Sequence, residues 1–298
     1  MEQFMGTGVA LVTPFDENQE IDFTALEQVV EHCIQGGVDY LVALGTTAET
    51  ATLDTQEKQQ VANAIREINR NRKPLVLGIG GNNTRLVCQQ VQNTDLAGYD
   101  GILSVSPYYS KPTQEGIFQH FKAVASVSSL PIIMYNVPSR TGSNMAPDTV
   151  VRLARTQSNI IGLKEACGDM VQVSELIRNK PEGFMVISGD DFTALPTVLA
   201  GGAGVISVLG QGLPSAFSEM IRLGLQNATA EAYAIHHQLS PLMRLIFEEG
   251  NPAGIKTVLA HQNLIQAGVR LPLMQASENL TQRISGFMEQ HFAVDLAS

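Results

Sequence analysis

A short apolar run, a turn and an amphipathic stretch recur from Gly8 to Leu223, and no other feature restricts the fold of this chain so tightly. The runs are Gly8–Thr13, Tyr40–Leu44, Leu75–Ile79, Gly101–Val105, Ile132–Tyr135, Ile160–Lys164, Phe184–Ile187 and Gly204–Val208. They are near-continuously apolar rather than alternating, which is the pattern of parallel strands covered on both faces. Between them the period turns helical. Phe23, Leu26, Val29, Val30, Cys33 and Ile34 share one face of Phe23–Ile34, which stops at Gly36-Gly37. Similar spacing predicts helices over Thr55–Ile68, Thr84–Ala97, Gln114–Val127, from Pro147, up to Ile177, over Ala194–Leu199 and over Pro214–Leu223.

Eight such cycles amount to a closed (β/α)8 TIM barrel, expected over 1–224. An open doubly wound sheet needs fewer cycles and usually a nucleotide fingerprint. A C-terminal helical extension is expected over 225–298. Its helices would be Ala230–Glu248, kinked or broken before Pro241, then Gly254–Ile265 and Ser277–His291.

Composition narrows the function. The net charge is −10 with no Lys/Arg cluster, so nucleic acid and anionic membranes are poor partners. No apolar run approaches the ~20 residues of a membrane span, and the first residues lack a signal-peptide pattern. Cys33, Cys88 and Cys167 have no CxxC spacing, which argues against a disulfide framework or a zinc site. A cytoplasmic chain without metal or cofactor is the expectation. Cys167 reads as a small buried hydrophobe, and His236-His237 as solvated surface.

Ligand sites of such barrels lie at the C-terminal strand ends. Lys164 ends the sixth run. Burying an ammonium is costly, and desolvation favours the neutral, nucleophilic amine that forms Schiff bases; a lysine snorkelling to solvent is the plainer reading. Thr46 and Thr47 follow the second run as a carboxylate cradle or a capping turn. Tyr108-Tyr109 and Tyr135 end neighbouring runs, as core tyrosines or as a proton-passing pair. Arg140 suits bidentate carboxylate binding or plain surface. Asp190-Asp191 reads as a helix N-cap rather than a metal site, and Gly201 to Ile206 resembles a phosphate-binding turn.

Taken together, GTTAET, SPYYSKPTQEG, YNVPSRTG, IIGLKEA, SGDD and GGAGVIS, in this order from Gly8 to Val208, resemble the dihydrodipicolinate synthase family of pyruvate-dependent class I aldolase barrels. A fainter match runs through NPAGIK, from Asn251 to Lys256. The resemblance implies that Lys164 forms a Schiff base with pyruvate and that Tyr135 is the general acid/base. It implies a relay in which Thr47 links Tyr135 to a Tyr109 donated by the neighbouring subunit. Thr46 and Thr47 would hold the pyruvate carboxylate, Arg140 the carboxylate of aspartate semialdehyde. The main chain at Gly189 and Ile206 would line the floor. A homotetramer of tight dimers, a place in lysine and diaminopimelate synthesis, and no cofactor beyond the covalent adduct are implied as well.

Two departures stand out. Ala48 replaces the usual glycine, so the turn must avoid a backbone only glycine takes easily. Lysine-inhibited members carry histidine and glutamate where this chain has Lys58 and Leu86, which implies weak or absent inhibition by lysine. Rival readings are N-acetylneuraminate lyase or a 2-keto-3-deoxy sugar-acid aldolase, a phosphate-binding isomerase barrel, and a non-catalytic sensor of pyruvate-like ligands.

Overall fold

The fold is described from a computed structural model over residues 2–292; Met1 and 293–298, the outer ends of the two expected regions, lie outside the described residues. The strands are β1 (Gly6–Ala10), β2 (Tyr40–Ala43), β3 (Leu75–Gly78), β4 (Gly101–Val105), β5 (Ile132–Asn136), β6 (Ile160–Glu165), β7 (Met185–Ser188) and β8 (Gly204–Ser207). All neighbours pair in parallel, and β8 returns to β1 through Gly204↔Gly6, closing the barrel.

The helices outside it are α1 (Phe23–Gln35), α2 (Thr55–Asn69), α3 (Thr84–Asn93), α4 (Gln114–Val127), α5 (Pro138–Thr141), α6 (Pro147–Thr156), α7 (Met170–Asn179), α8 (Ala194–Leu199) and α9 (Pro214–Leu225). Three more follow: α10 (Thr229–Glu248), α11 (Ala253–His261) and α12 (Glu278–His291).

Two apolar layers hold the barrel. Inside, Phe4, Tyr40, Val76, Ile133, Met185 and Ile206 fill the cylinder. Outside, one continuous cluster joins the strands' other faces to the helices and runs on into Leu239, Ile246, Ile255, Val258 and Ile284. The C-terminal helices therefore share the barrel's hydrophobic core.

Several boundaries differ from expectation for identifiable reasons. β1 starts at Gly6 and ends at Ala10, because pairing with β8 begins at Gly6↔Gly204. The apolar run beyond it is a buried loop whose amides find other acceptors: Leu11 N–H donates to Val42 O and Val12 N–H to Gln211 Oε1. α10 is not interrupted at Pro241. The carbonyl that the proline leaves without its helical donor, His237 O, accepts the Ser240 hydroxyl at 3.1 Å. His236 is buried, not solvated, with Nε2 3.0 Å from Phe192 O. α3 stops at Asn93, where Thr94 turns extended, and α11 stops at His261.

The glycines ahead of β8 belong to this architecture. Gly204 has φ +146°, and a Cβ there would lie 2.0 Å from Gly6 O. The run serves barrel closure at the N-terminal end of β8, opposite the strand ends where ligands bind. This removes the basis of the phosphate-site reading.

Candidate active site

Lys164 and Tyr135 are cross-strand partners in the β5–β6 register, and so are Asn136 and Glu165. Successive strand residues face opposite sides, so the two pairs do different work. Asn136 Nδ2 donates to both Glu165 oxygens, at 2.9 and 3.0 Å, and Asn136 Oδ1 accepts from Met145 N. Gln172 Nε2 and Cys167 N complete the shell around the carboxylate, each at 2.9 Å. This bolt fixes the relative placement of Tyr135 and Lys164. Burial nonetheless holds the Glu165 carboxyl above its ordinary value. Cys167, expected as a buried hydrophobe, is half-buried in the turn after Glu165; burial and that neighbouring carboxylate push its thiol up to about 12.

The Lys164 side chain is 5% exposed, with Nζ 4.5 Å from the Tyr135 ring centroid. Burial lowers its pKa to about 8; the Asp191 carboxylate counteracts this and the Arg140 guanidinium adds to it. The amine is packed from one side by Gly189, where a Cβ would lie 2.9 Å from Lys164 Cε and 2.7 Å from Ala166 Cβ. Only a residue without a side chain fits there. Ile206, fully buried in β8, lines the same interior.

Tyr135 is buried too, which raises its pKa and keeps the phenol protonated at neutral pH; a hydrogen bond from Thr46 and the charge of Arg140 oppose the rise. Of the two threonines, Thr46 is the one whose side chain acts on the Tyr135 hydroxyl. Thr47 is engaged elsewhere: its Oγ1 accepts Asn251 Nδ2 at 2.9 Å. Both threonines sit in a single 3₁₀ turn, Thr46–Ala48, that follows β2. Ala48 takes ordinary backbone angles there; the left-handed residues are Leu44 and Glu49, both with φ +55°.

Arg140 is exposed in α5, one short turn beyond β5, close enough for its charge to act on Lys164 and Tyr135. Tyr109 is 89% exposed with φ +70°, its N–H donating to Thr141 O. Within one protomer it stands apart from the buried group. The structure thus brings together Lys164, Tyr135, Thr46, Thr47, Gly189 and Ile206, sets Arg140 at the rim, and leaves Tyr109 outside.

Neither aspartate is the N-cap expected: α8 is entered through Thr193, and Asp190 accepts from Thr193 N in the turn before it. Asp191 does something else. It is buried, accepts the N–H groups of Val208 and Leu209, and burial pushes its pKa up to about 6. It ties the segment after β8 to the turn after β7, close enough for its charge to act on Lys164. Asp191, Glu165 and Asn251 were missed as site residues, because their partners are set by the fold rather than by local spacing.

A closed (β/α)8 barrel with a buried lysine at one strand end and a buried phenol beside it defines a TIM-barrel enzyme. The model of the Dihydrodipicolinate synthetase family matches residues 3–291. A 4-hydroxy-tetrahydrodipicolinate synthase of Flavobacterium psychrophilum is 54% identical over 290 residues, 97% of this chain and 99% of its own. Among solved structures, the dihydrodipicolinate synthase of Acinetobacter baumannii complexed with pyruvate superposes with a TM-score of 0.94 at 37% identity, covering 97% and 99% of the two chains. A monomeric dihydrodipicolinate synthase variant gives 0.95 at 35% identity, covering 98% of each chain. The chain belongs to the dihydrodipicolinate synthetase family.

Proposed function

We propose that this chain is a 4-hydroxy-tetrahydrodipicolinate synthase, condensing pyruvate with L-aspartate 4-semialdehyde in lysine and diaminopimelate biosynthesis. The observation that carries the reading is the buried Lys164 amine, with its pKa lowered to about 8, set against the Tyr135 ring. Family membership supports it.

In this mechanism the neutral Lys164 amine attacks the keto carbon of pyruvate. Tyr135 protonates the departing oxygen, which leaves as water and yields the imine. Loss of a methyl proton gives an enamine, whose terminal carbon bonds to the aldehyde carbon of the second substrate. The amino group of that substrate then displaces Lys164 and closes the ring. Thr46, hydrogen-bonded to Tyr135, is the member of the threonine pair suited to carry protons to and from it; Thr47 is left to bind the pyruvate carboxylate, with Thr46 also at its edge. Arg140 at the rim receives the carboxylate of aspartate semialdehyde. Gly189 and Ile206 form the floor. The chain needs no metal and no cofactor beyond its own lysine.

We assign the protein to the cytoplasm as a homotetramer of tight dimers, in which the exposed Tyr109 enters the neighbouring subunit's site and completes the relay. Among the described residues no helix is long and apolar enough to cross a membrane.

A coupled assay offering pyruvate with aspartate semialdehyde, and in parallel N-acetylneuraminate and 2-keto-3-deoxy sugar acids, tests the substrate assignment. Turnover of the semialdehyde is expected. Cleavage of a sugar acid with no use of the semialdehyde would overturn the reading.

A further inference from the structure

The threonine turn is held from outside the barrel. Glu49, the residue that closes it, is 3% exposed and takes a left-handed backbone that side chains other than glycine adopt at a cost. Its carboxylate is gripped by two residues far along the chain: Lys256 Nζ at 2.6 Å, in an ion pair with no solvent exposure on either side, and Arg270 N at 3.0 Å. Lys256 also donates to Gly268 O at 2.7 Å, and lies 4.3 Å from the Phe15 ring centroid. Two residues before Glu49, Thr47 receives the amide of Asn251, which precedes α11. From the buried loop after β1, Thr13 Oγ1 donates to Ala48 O at 2.8 Å.

The contact from Asn251 has a chemical consequence. A hydroxyl carries one proton and can accept two hydrogen bonds. Once Thr47 Oγ1 accepts from Asn251, its own proton is directed elsewhere and can be donated to an anion in the pocket.

We propose that Asn251 is a positioning residue for the keto-acid carboxylate, aiming the Thr47 proton into the pocket, and that the buried Lys256–Glu49 pair locks the turn on which Thr47 sits. This rests on the proposed pyruvate site and extends it to the C-terminal region. The same region would make pyruvate affinity depend on α11.

Three variants test it: Asn251→Ala, Asn251→Asp, and Glu49→Gln combined with Lys256→Met, which removes both buried charges together because leaving either one alone is strongly destabilising. Each is assayed for KM of both substrates, for kcat, for melting temperature and for borohydride trapping of pyruvate. Asn251→Ala is expected to raise KM for pyruvate about tenfold, with KM for the semialdehyde nearly unchanged and trapping intact at saturating pyruvate. Asn251→Asp, although isosteric, should raise it further, since a carboxylate takes the Thr47 proton for itself. The double variant should show the same selective rise.

A purely structural role predicts instead that the isosteric Asp variant is milder than Ala, and that lowered kcat tracks lowered melting temperature with both KM values unmoved. Either result would overturn the proposal. In a Thr47→Val background, Asn251→Ala should add nothing to the pyruvate KM; an additive effect would also overturn it. Failure of the underlying function reading is distinguishable, because then the unmodified chain would neither turn over nor trap pyruvate.

Discussion

Tyr135 faces Lys164 directly across the β5–β6 pair, with the amine 4.5 Å from the ring centroid and both side chains shut away from solvent. A ring face attracts an ammonium, yet here burial outweighs that attraction and the amine's pKa falls to about 8. On the proposed function the pair is a nucleophile with a proton donor at its side, and the Asn136–Glu165 bond one residue further on keeps it in register.

Keeping this amine buried costs stability. The unfolded chain holds the lysine proton up to the usual 10.5, the folded chain only up to about 8. Between those values the unfolded state binds more protons, so stability rises with pH there; below about 8 the full penalty applies. At about 1.36 kcal/mol per pH unit the penalty is on the order of 3 kcal/mol. Lys164→Met should therefore be inactive but more stable at pH 7, with the gap narrowing toward pH 10. Urea titrations at pH 7 and 9.5 check this. A methionine variant less stable at pH 7 would contradict it.

Gly189→Ala should damage both fold and chemistry. The added methyl meets Lys164 and Ala166 well inside contact distance, and such overpacking costs about 1–3 kcal/mol. We expect a lowered melting temperature together with a slower reaction with pyruvate. Unchanged values of both would show that the amine does not occupy this position.

The two threonines should separate on substitution. Thr46→Val removes the hydroxyl that bonds Tyr135, and should lower kcat by about 10²-fold, the scale of general acid–base catalysis. Thr47→Val should act chiefly on KM for pyruvate. Steady-state kinetics distinguish them; the reverse pattern would return the relay to Thr47.

Lysine should be a poor inhibitor. Lys58 is half-buried in α2 and Leu86 is 53% exposed in α3; the first repels an ammonium and the second offers it nothing. Half-maximal inhibition at sub-millimolar lysine in the coupled assay would contradict this.

The barrel was legible because parallel strands buried on both faces must be apolar throughout, so each strand registers as one run. Even the misplacement of the first strand follows from this, since Leu11 to Phe15 is an equally buried loop. Pro241 misled because a neighbouring serine satisfies the carbonyl that the proline abandons. The placement of the candidate site was legible where a single residue marks a strand end, as at Lys164 and Tyr135. It was not legible where partners lie far apart in sequence: Asn251 meets Thr47 across 204 residues. Nothing local tells Thr46 from Thr47. Adjacent hydroxyls look alike until the turn aims one at Tyr135 and the other at Asn251.

Everything proposed for this chain depends on Lys164 capturing a keto acid as an imine. Incubation with pyruvate and sodium borohydride, followed by peptide mass spectrometry, tests it most directly, since hydride reduces the imine to a stable secondary amine. Irreversible inactivation is expected, with one pyruvate-derived adduct on the peptide holding Lys164, forming faster as pH rises toward about 8. An unmodified Lys164 with activity intact after the same treatment would contradict it.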